Sequence, residues 1–380
     1  MNAIYLDHAA TSPVHPEVIN VMTKAMSEVF GNPSSIHTVG RTSRKVLDDA
    51  RQVLAKSIGA KDNEIIITSG GTEADNMAIF GSAYALRDKG KHIITTQVEH
   101  HAVMHACEKL EKEGFEVTYL PVDRSGRISI DTFKNALRED TILVTIMYGN
   151  NEVGTVQPIA EIGEILKDHQ AILHTDAVQA YGIERLNVDQ LNVDLLSVSS
   201  HKLNGPKGIG FLYQRTGTSL IPTFFGGSQE KKRRAGTENV PGTLGFAKAV
   251  EIAQQEIELK KDKFKNFREL FIKELKDENI QFEVNGNTEH TLQHVLNISF
   301  KEIDVESFLV NLDMSKVFAS SGSACTAGSI DPSHVLVAMF GKNADELRNS
   351  IRFSFGLGLT DEDIIEAAKR TAKIVKRLAN

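Results

Sequence analysis

Asp194-Leu195-Leu196-Ser197-Val198-Ser199-Ser200-His201-Lys202 is the stretch on which the fold turns. Its apolar centre reads as a strand buried on both faces. It then ends abruptly on small and polar residues and a lysine. Runs of the same kind recur on both sides. Glu64–Thr68, His92–Thr96, Glu116–Leu120, Thr141–Met147, Ala171–His174 and Gly208–Tyr213 complete a set of seven predicted strands. Ile65-Ile66-Ile67 and Ile142-Leu143-Val144 are near-continuous apolar runs, as strands covered on both faces require. Amphipathic segments lie between them. In 101–113, Val103, Cys107 and Leu110 share one helical face. Strand–helix alternation predicts an α/β fold, a mostly parallel seven-stranded sheet flanked by helices.

Beyond this region a helical pattern runs from near Gly242 to Asp277, with Phe264, Phe267, Leu270, Phe271 and Leu275 as its apolar stripe. Fewer strands follow (Val295–Phe300 and Ile351–Phe355), then a charged helix over Asp361–Leu378. This predicts a large domain over 15–255. A smaller α+β domain is built from 1–14 and 256–380.

The chain has 380 residues, 41% of them hydrophobic and 24% charged, which suits a globular protein and excludes a disordered one. With 43 Lys and Arg against 50 Asp and Glu, the net charge is −7. That argues against general binding to a phosphate backbone, so no direct nucleic-acid partner is expected. No apolar run approaches the roughly 18 residues of a membrane span. The first eight residues carry neither a cationic start nor a long apolar stretch, so no secretory signal is expected. Two cysteines, Cys107 and Cys325, fit a reducing cytoplasm.

The chemistry concentrates at strand ends. Ser69-Gly70-Gly71-Thr72 links a strand to a helical stretch. Glycines admit an anion close to the backbone, and a helix N-terminus offers free N–H groups. The turn lacks the lysine of a P-loop and the three glycines of a dinucleotide fingerprint. Taken singly, it also serves as a plain connection. Lys202 follows one strand, and Asp176, in His174-Thr175-Asp176-Ala177-Val178-Gln179, ends another one strand–helix–strand unit earlier. In a parallel sheet both reach the same carboxyl edge, where ligands of open α/β sheets bind. A lysine whose amine is desolvated and a carboxylate facing it are the pair a pyridoxal phosphate site needs.

These motifs, with Tyr5-Leu6-Asp7-His8-Ala9-Ala10-Thr11, Thr68–Asn76, Ser200-His201-Lys202 and Ser320-Ser321-Gly322-Ser323-Ala324-Cys325, resemble the cysteine desulfurases of the NifS/IscS type, fold-type I pyridoxal phosphate enzymes. The resemblance spans essentially the whole chain, in order. It implies removal of sulfur from L-cysteine to give L-alanine and a persulfide on Cys325. That sulfur is then passed to an acceptor, an iron–sulfur scaffold or a tRNA-thiolating enzyme. It implies that Lys202 attaches the cofactor, Asp176 pairs with the ring nitrogen and Gln179 contacts the phenolic oxygen. His100 stacks on the ring and moves protons. Gly71, Thr72, Ser199 and His201 hold the phosphate, and Thr237 reaches the phosphate of a neighbouring subunit, which implies a homodimer. Asn151 and Arg352 receive the substrate carboxylate, to which arginine geometry is suited. The family often has lysine after the stacking histidine, where this chain has His101.

Cys325 lies among small residues with no apolar periodicity, as a reactive thiol requires. Cys107 shares a face with Val103 and Leu110 and reads as core. His101 and His105 have the i, i+4 spacing of zinc ligands, but nearby residues supply no further ligand, and no metal is expected. An aminotransferase or selenocysteine lyase of the same fold is the nearer rival. A catalytically silent scaffold is the more distant one.

Overall fold

The structure, a computed structural model, describes residues 2–321 and 332–379. Its strands are β1 (Ile4–Tyr5), β2 (Ile65–Thr68), β3 (His92–Thr96), β4 (Glu116–Leu120), β5 (Thr141–Thr145), β6 (Ile172–Asp176), β7 (Leu195–Ser199), β8 (Gly210–Gln214), β9 (Phe282–Asn285), β10 (Val295–Phe300), β11 (Val317–Phe318) and β12 (Ser350–Ser354). Its helices are α1 (Pro16–Glu28), α2 (Thr38–Lys56), α3 (Gly71–Leu86), α4 (His101–Lys112), α5 (Ile130–Ala136), α6 (Ile159–Leu166), α7 (Val240–Asp277), α8 (Val305–Met314), α9 (His334–Phe340), α10 (Glu346–Asn349) and α11 (Asp361–Leu378).

Seven strands form one sheet in the order β2-β8-β7-β6-β5-β3-β4. All neighbours are parallel except β8, which runs antiparallel to both β2 and β7. Alternation along the strands explains the layers. Ile65, Ile67, Val144, Leu173, Leu196 and Val198 enter one core with α2, α6 and the first half of α7. Ile66, Ile93, Leu143, Ile172, Leu195 and Leu212 enter another with α3 and α4. Every one of these strand residues is buried, which accounts for the absence of polar alternation in their sequence. Cys107 is buried in the second of these cores, and its thiol pKa is raised mainly by desolvation, as a packing residue's would be.

A separate core surrounds the antiparallel sheet β12-β10-β9. Phe264, Phe267, Phe271 and Leu275 from the second half of α7 enter it, together with α8, α11 and the N-terminal Ile4 and Leu6. Helix α7 is thus one element shared by two cores. It begins at Val240, just ahead of the predicted Gly242, with Asn239 capping Gly242 N–H and Pro241 in the first turn. The sequence reading missed β1, β9 and β11. Strands β1 and β11 are two residues each, too short to show a period, and β9 is a partly exposed edge. Among the described residues no helix is long and apolar enough to cross a membrane.

Candidate active site

A cavity of about 470 Å³ opens where strands β5, β6 and β7 end. Parallel pairing of β6 with β7 brings Asp176, the last residue of β6, and Lys202, on the single turn after β7, to this edge. Both line the cavity, with Gly71, Thr72, His100, Asn151, Gln179, Ser199, His201 and Arg352. All the candidate cofactor and substrate residues therefore meet in one place, with one exception. Thr237 is exposed and does not line the cavity of its own chain. Cys325 lies outside the described residues. The chain enters that segment beside the cavity, because Ser320 is hydrogen-bonded to the backbone of Arg352.

Lys202 Nζ donates to the carbonyls of Ala9 (2.5 Å) and Ala10 (2.9 Å). Burial first, then Arg352, pulls its pKa down to about 8, while Asp176 and Asp7 oppose the drop. The amine is thus poised to lose its proton near neutral pH. Asp176 is buried, accepts from Val178 N–H at 2.9 Å, and has its pKa raised by desolvation against the opposing pull of His100 and Lys202. His100 is exposed at the cavity mouth, yet desolvation lowers its pKa. Its Nδ1 accepts from Ala102 N–H at 3.2 Å, capping α4. Among the described residues, Asp75, His100 and Asp176 are the one group of three whose ligand-type atoms lie within 4.8 Å of one another; His101 and His105 belong to no such group.

The candidate anion end of the site is the N-terminus of α3. Gly70 precedes it with φ +152° and ψ −174°, a conformation essentially confined to glycine, and gives the helix no side-chain cap. The first-turn N–H groups consequently face outward, unspent by intrahelical bonds. A neighbouring cleft of about 360 Å³ is lined by Gly71, Thr72, Ser199 and His201 as well. His201 Nδ1 is 3.1 Å from Thr11 Oγ1. Desolvation lowers the His201 pKa to about 4, so its imidazole is neutral at pH 7.

At the opposite end Arg352, its side chain 5% exposed, donates to Asn151 O (3.0 Å) and Asp7 Oδ1 (2.8 Å). Gln179 is held between Ala9 O (3.0 Å) and His294 Nε2 (3.2 Å). Sequence reasoning missed two supports. Glu99 is buried, accepts from Thr96 Oγ1 and Met147 N–H, and has its pKa raised to about 8 by desolvation. Arg234, in the basic run Lys231–Arg234, grips Glu73 of α3 at 2.7 Å, and Glu73 in turn accepts from Ser69 N–H. Such long-range pairs leave no periodic trace; the one signal was a charged run and a lone acid beside the glycine turn.

The residues fit pyridoxal phosphate: an uncapped helix terminus for the phosphate, a desolvated amine, and a buried carboxylate across the cavity.

Comparison with known proteins agrees. The sequence matches the family model for class-V aminotransferases over residues 4–366. It is 60% identical, over 100% of each chain, to a Bacillus subtilis (strain 168) protein described as a putative cysteine desulfurase IscS 1. It is 49% identical to the cysteine desulfurase IscS of Methanosarcina thermophila, covering 100% of this chain and 93% of that one. A solved NifS-like protein superposes with a TM-score of 0.92 at 32% identity, covering 99% of this chain and 100% of that one. SspA, solved in complex with cysteine, superposes at 0.81 with 36% identity, covering 93% and 98%. From its cavity, its sheet and these full-length likenesses, the chain belongs to the class-V aminotransferase family and, within it, to the cysteine desulfurases of the NifS/IscS type, a group of pyridoxal phosphate enzymes.

Proposed function

We propose that this chain is a cysteine desulfurase that removes sulfur from L-cysteine, leaving L-alanine and a persulfide on Cys325. The observation that carries the reading is the desolvated amine of Lys202, lodged in one cavity with the carboxylate of Asp176 and the guanidinium of Arg352. Lys202 is the residue that attaches pyridoxal phosphate. The first turn of α3, with Gly71, Thr72, Ser199 and His201, takes the phosphate. Asp176 would pair with the ring nitrogen of the cofactor, Gln179 would contact its phenolic oxygen, and His100 would stack on it. When bound, the cofactor supplies an electron sink for the α-carbon of the amino acid.

The protein's own groups do the rest. Arg352 and Asn151 hold the substrate carboxylate, which orients the α-carbon. The Lys202 amine moves the proton at that carbon, a task suited to a pKa near 8. His100 moves a proton at the substrate sulfur. The Cys325 thiolate takes the sulfur, so that L-cysteine and a thiol become L-alanine and a persulfide, with no outside oxidant. The sulfur then goes to an acceptor protein, an iron–sulfur scaffold or a tRNA-thiolating enzyme. A reducing compartment such as the cytoplasm suits a thiol of this role.

Two exposed apolar surfaces support a homodimer. Phe225 (85% exposed) and Phe224 lie in the segment leading to Thr237, and Phe30 and Ile36 (90% exposed) lie between α1 and α2. A second copy covering them brings Thr237 to its neighbour's phosphate end. The separate core around β12-β10-β9 supports a division into a large domain, 15–255, and a small one, 1–14 and 256–380.

Cys325→Ser is expected to keep a coloured cofactor and bind L-cysteine, yet release no sulfide with dithiothreitol. Normal turnover by this variant overturns the assignment. Lys202→Ala is expected to lose the visible band of attached cofactor; an unchanged spectrum identifies another lysine. Keto-acid-dependent amino transfer by the wild type favours an aminotransferase instead.

A further inference from the structure

Arg352 presents three donor groups, and they are not used alike. Nη1 donates to Asn151 O at 3.0 Å and Nη2 to Asp7 Oδ1 at 2.8 Å. Nε is buried and has no hydrogen-bond partner. A buried guanidinium N–H left unmade carries a desolvation cost, so the hold on this side chain rests on its two Nη contacts. Asp7 is itself firmly placed. It forms a bridge with Ser354, two residues along β12 from Arg352, and Ser354 N–H donates to Leu6 O at 2.7 Å. The acid, through this bridge, is set beside the strand that carries the guanidinium, and two fixed acceptors determine the guanidinium plane.

We propose that Asp7 is the positioning residue of Arg352: it grips Nη2 and so fixes the plane in which the guanidinium, at the wall of the cavity, meets the carboxylate of an α-amino acid substrate. The inference rests on the desulfurase reading only for the identity of that amino acid. Asp7 does not touch the reacting atoms. It supplies an anchor whose geometry matters more than its charge, since charge alone acts in the opposite sense. Removing an anion beside Arg352 strengthens the field that draws a carboxylate in. Removing an anchor lets the planar fork turn away. The sign of the change therefore separates the two.

The test compares the holoenzyme of the wild type with Asp7→Ala and Asp7→Asn. Binding of L-alanine is followed through the absorption of the bound cofactor, and KM and kcat are measured with L-cysteine. Asp7→Ala is expected to weaken L-alanine binding and raise KM about tenfold, with kcat within about twofold of wild type. Asp7→Asn, which keeps an acceptor oxygen without the charge, is expected to restore most of the loss. Tighter binding in Asp7→Ala, equal binding in all three proteins, or no rescue by Asn overturns the proposal. So does a wild type that fails to bind L-alanine. L-alanine binding needs no sulfur chemistry. A wild type that binds it without releasing sulfur from L-cysteine sinks the activity reading alone, and leaves the role of Asp7 to be decided by the variants.

Discussion

Lys202 and His294 illustrate what burial does to single bases in this protein. Desolvation brings the Lys202 amine to about 8 and pushes the buried His294 imidazole down to about 3. His294 stays neutral in the fold, while in the unfolded chain it gains a proton below about pH 6.5. The unfolded state therefore binds more protons as pH falls, and the stability His294 contributes is lost on the acid side. Between pH 6.5 and 5 this amounts to roughly 1.5 kcal/mol. His294→Gln, which retains a polar group towards Gln179, is expected to flatten that part of the stability–pH curve by this amount. Urea unfolding of both proteins at the two pH values checks it; parallel curves refute it. At this scale the sequence was partly legible. Asp176 and Lys202 stand at strand ends, where chemistry gathers, and Arg352 lies in the middle of β12. Asp7, Glu99 and Glu73 act through partners far along the chain, and pattern reading has no access to those.

At the scale of elements, the carboxyl edge of the sheet was readable because β6 and β7 are short apolar runs separated by one crossover. The direction of β8 was not. Its residues are as apolar as those of a parallel strand, and only the short connection from β7, holding Lys202, reveals the reversal. That reversal has a use. Gly210 of β8 pairs with both Thr68 and Ser199, and so lies directly under the Gly70 turn that leads into α3. A Cβ there would sit 2.4 Å from Val198 O and 2.9 Å from Gly70 Cα, backbone atoms that do not yield easily. Gly210→Ala is expected to lower stability by about 1–3 kcal/mol and to weaken cofactor retention through the displaced Gly70 turn. Thermal unfolding and dialysis against buffer measure the two effects. A variant with wild-type stability and cofactor content contradicts this packing.

At the scale of the whole molecule, the core around β12-β10-β9 was legible from the aromatic stripe of α7, and Ile4 and Leu6 of the N-terminal segment enter it. The proposed homodimer makes a measurable claim. Sedimentation is expected to give twice the chain mass of 41.8 kDa, and Phe225→Glu, which places a charge in the covered face, is expected to shift it to the monomer and loosen the cofactor. A wild-type monomer refutes the shared site. Residues 5–11 have a further consequence. They meet Lys202 through the Ala9 and Ala10 carbonyls and β12 through Asp7, so stretches more than 300 residues apart hold each other, and the lysine between them, in place. Polypeptide that stops short of residue 350 has its lysine but neither its arginine nor the strand that seats Asp7. Product truncated ahead of β12 is thereby denied an assembled site, whatever reaches its lysine.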